Sequence, residues 1–413
     1  MCWVRSALCR TFSAERAYDH QVSTPGRTKP PVIADVARLA GVSVPTVSRV
    51  LTGAVPVSPE RRARVLAAIE ELGFRPNGAA RALASGGQPM VAVIAGNTTR
   101  YGYATTLQGI EEAARAAGHM VTITVVESDD PQTVAAAVDH VLGQPLAGVI
   151  VLEYDPPGLA ATRAIPAWLP GVATAPGSGA TTKSPLAHAF MDDRAAAEQA
   201  TRYLLDLGHR TVHHIAIPSA GGESTRLLGW RDALLAQGAP VPEVQHADWL
   251  PMTAYAAGRR LVDDPEVTAV LCGNDELAMA VARAVTDSGK RVPQDISVIG
   301  FDDQPLTQLW SPALTTVRQD FVQLGHAAFG LLQRQIEHGV VPASIRIVPE
   351  LIVRGSTGPV SSTAGAQRAA HRESSSLPLR LPGRPGLTQA LLPLPNRYES
   401  GCRIVTWRGC APK

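Results

Sequence analysis

Cysteine is sparse in this chain: five in 413 residues, at Cys2, Cys9, Cys272, Cys402 and Cys410, with no Cys-x-x-Cys among them. Only Cys272 falls within the patterned middle of the chain. A disulfide framework and a thiolate metal site are both unexpected, and a reducing compartment fits the usage. Long apolar runs are lacking too. None approaches membrane-spanning length, and Arg5 and Arg10 interrupt the N-terminal stretch that would have to serve as a signal peptide's apolar core. A cytoplasmic protein with no membrane partner is the expectation. Catalytic signatures are missing: no Gly-x-Ser-x-Gly elbow, no phosphate-binding Gly-Lys loop, no His-Glu-x-x-His. His209, His213 and His214 cluster at a helix-to-strand turn without acidic or cysteine partners, which reads as a solvated turn rather than a metal site. No catalytic residue, metal or cofactor is expected.

Net charge is also nearly absent, with 38 Lys and Arg against 36 Asp and Glu. Its distribution is uneven. Residues 27–84 hold nine basic and four acidic side chains, whereas 85–358 hold eighteen basic and twenty-eight acidic. A positive head on a negative body can bind phosphates with one end only.

What that head contains is a pair of apolar-striped segments around one glycine, "DVARLAGVSVPTVSRVL" at 35–51. Ile33, Val36, Ala37 and Ala40 share one helical face, and Gly41 supplies the positive φ that ends the helix. Ser43 reads as the N-cap of a second helix with Pro45 in its first turn. Val47, Val50 and Leu51 point back at the first helix, leaving Val44, Pro45, Ser48, Arg49 and Thr52 outward. A third helix follows, with Ser58 as cap, Pro59 first, and Val65, Ile69 and Leu72 as its stripe up to Gly73. Three short helices with an arginine on the exposed face suggest a DNA-binding headpiece. A small helical subdomain that merely packs is the plain alternative.

Residues 33–52 resemble the headpiece of the LacI/GalR family of bacterial repressors, and the similarity extends to about residue 357. One departure is Val32, where the family usually has a Thr. The resemblance implies a homodimer that reads double-stranded operator DNA from the first turns of helix two. Val44, Pro45 and Arg49 would meet bases, with Ser43, Thr46 and Ser48 near phosphates. Arg can bond guanine O6 and N7 together, and small apolar groups can meet a thymine methyl; Val44 and Pro45 read equally well as spacers. In "FRPNGAARALASGG" (74–87), Asn77 would cap a hinge helix spanning Gly78–Ala84, and Leu83 would be the apolar wedge in the minor groove. Without DNA so short a helix is marginal, and a flexible linker is the expectation. Gly78 replaces the family's usual larger residue.

From Met90 the pattern changes to short apolar runs alternating with amphipathic stretches. "VAVIAG", "VTITVV", "AGVIVL" and "GVATA" read as strands, with helices in "LQGIEEAARAAG" and "TVAAAVDHVLG". "HHIAIP", "EVQHADW", "AVLCGND" and "ISVIGFDD" form a second series, interleaved with helices around 193–207, 225–237, 253–263 and 276–288. Alternating β and α means doubly wound parallel sheets, and two such series make two lobes. The resemblance implies a periplasmic-binding-protein-like bilobed core. Its chain would cross near His188, Gln319 and Arg346, giving lobe 1 as about 90–188 and 320–345 and lobe 2 as 189–318 and 346–357. Ligands of open α/β sheets bind beyond the carboxyl ends of strands, and such ends carry Asn97, Asn274–Asp275 and Asp302–Asp303. The family's effector positions fall on Asp192, Arg226, Trp249, Asn274, Asp302 and Phe321. Trp and Phe would offer flat faces to a sugar-like small molecule, while Asn, Asp and Arg hydrogen-bond its hydroxyls. Dull alternatives stand beside these: Asn274 and Asp275 as helix caps, Asp303 as a loop carboxylate, Trp230 as core. "TTRYGY" replaces the family's usual Asn-Pro-aromatic-aromatic pattern, so Tyr101 and Tyr103 line this pocket in their own way.

The ends read differently. Residues 1–30 look unstructured. From 358 to 413 the sequence is rich in Pro, Ser and Arg, which reads either as disorder or as an additional basic DNA arm. Proline there also breaks any leucine heptad, so dimers rather than tetramers are expected. Two other classes compete with a sugar-controlled repressor: a bilobed sugar-binding transport or chemoreceptor protein, and an enzyme on a doubly wound fold. The basic helix–turn–helix speaks against the first, and the missing nucleophile–base pairing against the second.

Overall fold

The computed structural model describes residues 31–53, 55–75, 90–175, 177 and 186–360. The expected N-terminal extension 1–30, the hinge 77–89 with Asn77 and Leu83, and the tail beyond 360 lie outside the described residues.

Three helices come first: α1 (Ile33–Ala40), α2 (Val44–Thr52) and α3 (Pro59–Leu72). Val36, Ala37, Ala40, Val47, Val65 and Ala68 are buried among them, and Phe74, unnoticed in the sequence, closes the cluster. Gly41 ends α1 at φ 63, as its position predicts. Val32 brings no acceptor to the N-cap of α1; instead its own N–H donates to Asp35 Oδ2 at 2.9 Å. Ser43 and Ser58 hold the N-cap positions of α2 and α3, but neither side chain accepts a capping bond. The Ser43 hydroxyl pairs with that of Thr46 at 3.0 Å.

The remainder is two six-stranded sheets. The first contains β1 (Met90–Ala95), β2 (Met120–Val125), β3 (Leu146–Leu152), β4 (Gly171–Ala175), β5 (Ala187–Met191) and a late β11 (Ile345–Ile347). Their order is β11-β5-β4-β3-β1-β2, parallel throughout. Near-continuous apolar runs such as "VAVIA" suit strands covered on both faces. One face packs on α4 (Tyr101–Ala116) and α11 (Phe321–His338), the other on α5 (Pro131–Leu142) and α6 (Pro156–Ala164). Where α4 crosses α11 the two backbones touch. A Cβ on Gly109 would overlap the Val322 carbonyl oxygen, and one on Gly325 the Thr106 carbonyl oxygen.

The second sheet has the order β12-β10-β9-β8-β6-β7. Its strands are β6 (His213–Ala216), β7 (Gln245–His246), β8 (Ala269–Cys272), β9 (Ser297–Asp302), β10 (Thr315–Arg318) and β12 (Glu350–Ile352). All neighbours are parallel except the edge pair β10–β12. The helices α7 (Asp193–Asp206) and α8 (Thr225–Ala236) cover one face, and α9 (Pro251–Val262) and α10 (Asp275–Asp287) the other. Trp230 is core: fully buried, its Nε1 donates to the Val212 carbonyl at 2.8 Å and its ring stacks on His214.

The chain passes between sheets after Met191, between Arg318 and Phe321, and between Ile347 and Glu350. His188 and Arg346, the crossings named from sequence, sit inside strands β5 and β11 of the first sheet. The passes therefore fall a few residues later, while Gln319 marks the middle one.

Candidate functional sites: an exposed arginine face and a cleft between two sheets

On the headpiece, Val44, Pro45 and Arg49 are exposed along one side of α2, with Thr46 and Ser48 partly so. No described residue pairs with the Arg49 guanidinium, whereas Arg38 is tied to Asp35 at 3.0 Å. The other arginines of the described headpiece, Arg61, Arg62, Arg64 and Arg75, are exposed as well. Proline at the second position of α2 leaves few backbone donors there, so side chains and the helix's first turn present the chemistry.

The second site is a cleft of about 170 Å³ lined from both sheets. It lies where strands of both sheets end, because a parallel strand delivers its chain to a loop at its carboxyl edge. Arg100, Tyr101, Glu153, Tyr154 and Phe321 line it from the first lobe; Arg226, Trp249, Asn274, Asp302 and Gln319 do so from the second and its connections. Asn97 does not line it. Its Oδ1 accepts the N–H groups of Thr99 and Arg100, at 2.8 and 2.9 Å, and so shapes the loop that carries Arg100.

Five of the six effector positions named from sequence come together here; Asp192 does not. The Asp192 carboxylate caps α7 by accepting from Ala195 N at 3.1 Å and pairs with Arg346 at 3.3 Å. Its neighbour Asp193 turns inward instead and is fully buried. Adjacent residues at a helix start point in different directions, so an error of one residue exchanges a cap for a cleft residue.

Arg226 sits at the centre of a buried network. Its Nε donates to Asp193 Oδ2 at 2.8 Å, one terminal nitrogen to the Gly273 carbonyl, and the other to Gln319 Oε1 at 3.1 Å. Asp302 lies 3.7 Å away, and the guanidinium covers the Phe301 ring at 4.3 Å. Gln319 Nε2 donates back to Asp193. Burial opposes the charge on Arg226, and the carboxylates of Asp193 and Asp302 hold its pKa above the ordinary value. Burial likewise raises the Asp193 pKa against the pull of Arg226. Arg226 thus braces strand ends and a connection between lobes. Removing it would strand buried carboxylates, a loss of about 3–5 kcal/mol for broken pairs of this kind.

Asp302 ends β9 with φ 111 and Asp303 follows at φ 56, a strained pair for residues with a Cβ. Burial, with the nearby carboxylates of Asp275 and Asp193, raises the Asp302 pKa well above its usual range despite Arg226. Asp303 is no simple loop carboxylate: it holds Arg318 at 2.8 Å and Arg354 at 2.6 Å. Asn274 both lines the cleft and caps α10, accepting from Leu277 N at 2.9 Å. Asp275, fully buried, accepts from the Thr316 hydroxyl at 2.5 Å and from Gln304 N at 2.8 Å, and burial pushes its pKa up to about 7.

The aromatic residues are largely engaged with each other. Phe321 meets Tyr101 edge to face, with centroids 6.0 Å apart. Tyr103 donates to Asp155 Oδ2 at 2.5 Å and packs against Tyr154. Trp249 carries Arg100 over its ring at 4.2 Å, a contact that joins the two lobes across the cleft. Sequence reasoning missed Arg100, Glu153 and Asp193, and named Gln319 only as a crossing between lobes. Glu153 follows the apolar run of β3, and a carboxylate directly after a buried strand was the signal available.

Among the described residues no group of three His, Cys, Asp or Glu is placed to hold a metal, and no helix is long and apolar enough to cross a membrane. His209 and His214 are buried rather than solvated as the sequence suggested: His209 bonds Thr268 and Ser297, and His214 the Leu271 carbonyl.

Comparison with known proteins places both regions in matched domains. Residues 32–77 match the bacterial regulatory proteins of the lacI family, and residues 201–357 match a periplasmic binding protein-like domain. The lactose operon repressor of Escherichia coli is 30% identical over 350 residues, 84% of this chain and 96% of that protein. The transcriptional regulator CelR of Thermobifida fusca is 32% identical over 343 residues, 80% of this chain and 99% of that one. A lac repressor dimer bound to operator and the anti-inducer ONPF superposes with TM-score 0.72 at 29% identity, covering 80% of this chain and all of that one. A CelR–cellobiose complex gives TM-score 0.57 at 30% identity, covering 79% and 99%. With an exposed arginine-bearing helix–turn–helix ahead of a bilobed α/β body, this chain belongs to the lacI family of DNA-binding bacterial transcriptional regulators.

Proposed function

We propose that this regulator is a repressor that binds a near-palindromic operator as a homodimer in the cytoplasm, and that a small sugar-like effector in the cleft changes its operator affinity. The observation that carries the reading is the cleft itself, built from strand ends of both lobes and bridged by Arg100 on Trp249. A ligand touching both walls binds the closed arrangement better than the open one, and only such a difference shifts the equilibrium. One headpiece reads too few bases for specificity, and a two-fold protein matches a two-fold site. Ser43, Val44, Pro45, Thr46, Ser48 and Arg49, with Asn77 and Leu83 of the hinge, are the proposed DNA contacts. Arg226, Trp249, Asn274, Asp302 and Phe321 are the proposed effector positions, with Arg226 acting as a brace more than as a free donor. Asp193 replaces Asp192. The likeness to a lac repressor dimer on its operator and to CelR with cellobiose supports both halves.

A gel shift against genomic fragments, repeated with saccharides, tests the reading. A retarded band whose midpoint moves with a saccharide is expected. Failure to retard any fragment would remove the DNA half, and a midpoint indifferent to every saccharide would remove the sugar half.

A further inference from the structure

Glu153, just beyond the carboxyl end of β3, is 3% exposed and lines the cleft. Its backbone N–H is fixed on the Thr174 carbonyl at 2.8 Å, and its Oε2 meets His188 Nε2 at 3.1 Å. In the register Ala173 pairs with Val151 of β3 on one side and with His188 of β5 on the other. The other oxygen, Oε1, is buried without a hydrogen-bond partner among the described residues. An unsatisfied buried acceptor is costly, and such groups mark places where something else completes the bonding.

We propose that Glu153 reads the effector from the first lobe: its Oε1 accepts a hydrogen bond from a hydroxyl or amine, and the cleft therefore takes an uncharged or amino-bearing saccharide and rejects phosphorylated or carboxylated ones. This rests on the effector reading above and narrows its ligand class. Of the two arginines in the lining, one is already paired and the other is outnumbered by carboxylates. Arg226 is held by Asp193 and Gln319, and Arg100 lies on the Trp249 ring. Glu223 and Glu276 add carboxylates to the lining. An entering phosphate would find Arg100 alone against several carboxylates of like charge, which is an effective means of exclusion.

The test combines Glu153→Gln with a defined set of probes: glucose, cellobiose, glucosamine and glucose 6-phosphate. In the ligand-free protein E153Q is expected to raise Tm by about 2 °C or more, because an amide oxygen costs less to bury without a partner than a carboxylate oxygen does. In the wild type, glucose, cellobiose or glucosamine is expected to bind at least ~10-fold more tightly than glucose 6-phosphate, with E153Q weakening that binding ~10-fold or more. A lower Tm in ligand-free E153Q would make Glu153 a structural partner of His188 and overturn the proposal. Tighter binding of glucose 6-phosphate than of any uncharged or amino probe would overturn it equally. Where no probe binds, a lower Tm in ligand-free E153Q still overturns the proposal. Operator retardation is scored separately, so failure of the DNA reading leaves both readouts standing.

Discussion

At the scale of single residues, the chemistry of each site is set by which polar groups still have bonding capacity. Arg49 is exposed and unpaired among the described residues, so its bidentate donors are available to a base edge. Arg49→Ala is expected to lose about 1–3 kcal/mol at one base pair per half-site, read by binding to operators varied at each position. Uniform weakening across all sequences would make Arg49 a phosphate contact. Arg226 is the opposite case. Its donors are taken, so Arg226→Ala reports lost stability of the second lobe before it reports lost effector contact. Asp275 carries a pH signature. Its folded pKa of about 7 exceeds the ordinary carboxyl value, so the native state holds a proton that the unfolded chain has released. The associated stability is present below about pH 4 and is lost as pH rises toward 7. His214, lowered by burial to about 4, works the other way between about 4 and 6.5. Comparing Asp275→Asn with wild type cancels that term. The stability difference, by denaturant unfolding, is expected to move in favour of Asp275→Asn by an amount on the order of 3 kcal/mol from pH 5 to pH 8. An unchanged difference would mean that Asp275 is ionised throughout. Residue identities were partly legible from sequence. Trp249, Asn274, Asp302 and Phe321 reach the cleft, but Asp192 and Asp193 differ only in which way a helix start turns them, and no pattern in one sequence encodes that.

At the scale of elements, the strands with long apolar runs were readable and the shortest late ones were not. β11 and β12 have three residues each, too few to show any period, whereas the two-residue β7 lies within the stretch EVQHADW read as a strand. The helix α11 escaped notice for another reason: Gly325 and Gly330 lower its helix propensity, although Phe321, Leu324, Ala328 and Leu332 form a clear buried stripe. Gly325 is there because no side chain fits. Gly325→Ala would drive a methyl group into the α4 backbone at Thr106. Overpacking of this sort is expected to cost about 1–3 kcal/mol, visible as a lower Tm of the body. Gly330, with nothing within reach of an added Cβ, is the control, and Gly330→Ala is expected to be neutral or stabilising. Equal effects at both glycines would show that backbone contact is not what selects Gly325.

At the scale of the whole molecule, the two sheets are joined by three chain passes, and Arg100 on Trp249 bridges the cleft between them. Cation–π pairs contribute about 0.5–2 kcal/mol depending on solvation. Arg100→Ala is therefore expected to speed effector dissociation by roughly 3- to 30-fold while leaving operator binding without effector within twofold, as measured by stopped-flow release and anisotropy. Unchanged dissociation would place the bridge outside the closing motion. Any coupling between cleft and operator must also be reciprocal, so operator DNA is expected to alter effector affinity by the same factor, typically about 1–3 kcal/mol.

The bare-backbone crossing of α4 on α11 has a consequence for how such a protein changes over time. Helices seated on carbonyl oxygens have one workable separation, so their register is inherited as a unit. Loop residues at the strand ends, such as Ser219, Trp249 and Gln304, bear on the cleft without entering that crossing. Drift or deliberate randomisation at those ends can exchange one sensed compound for another while the mechanical parts stay as they are. The body is in this respect a fixed chassis with a replaceable lock.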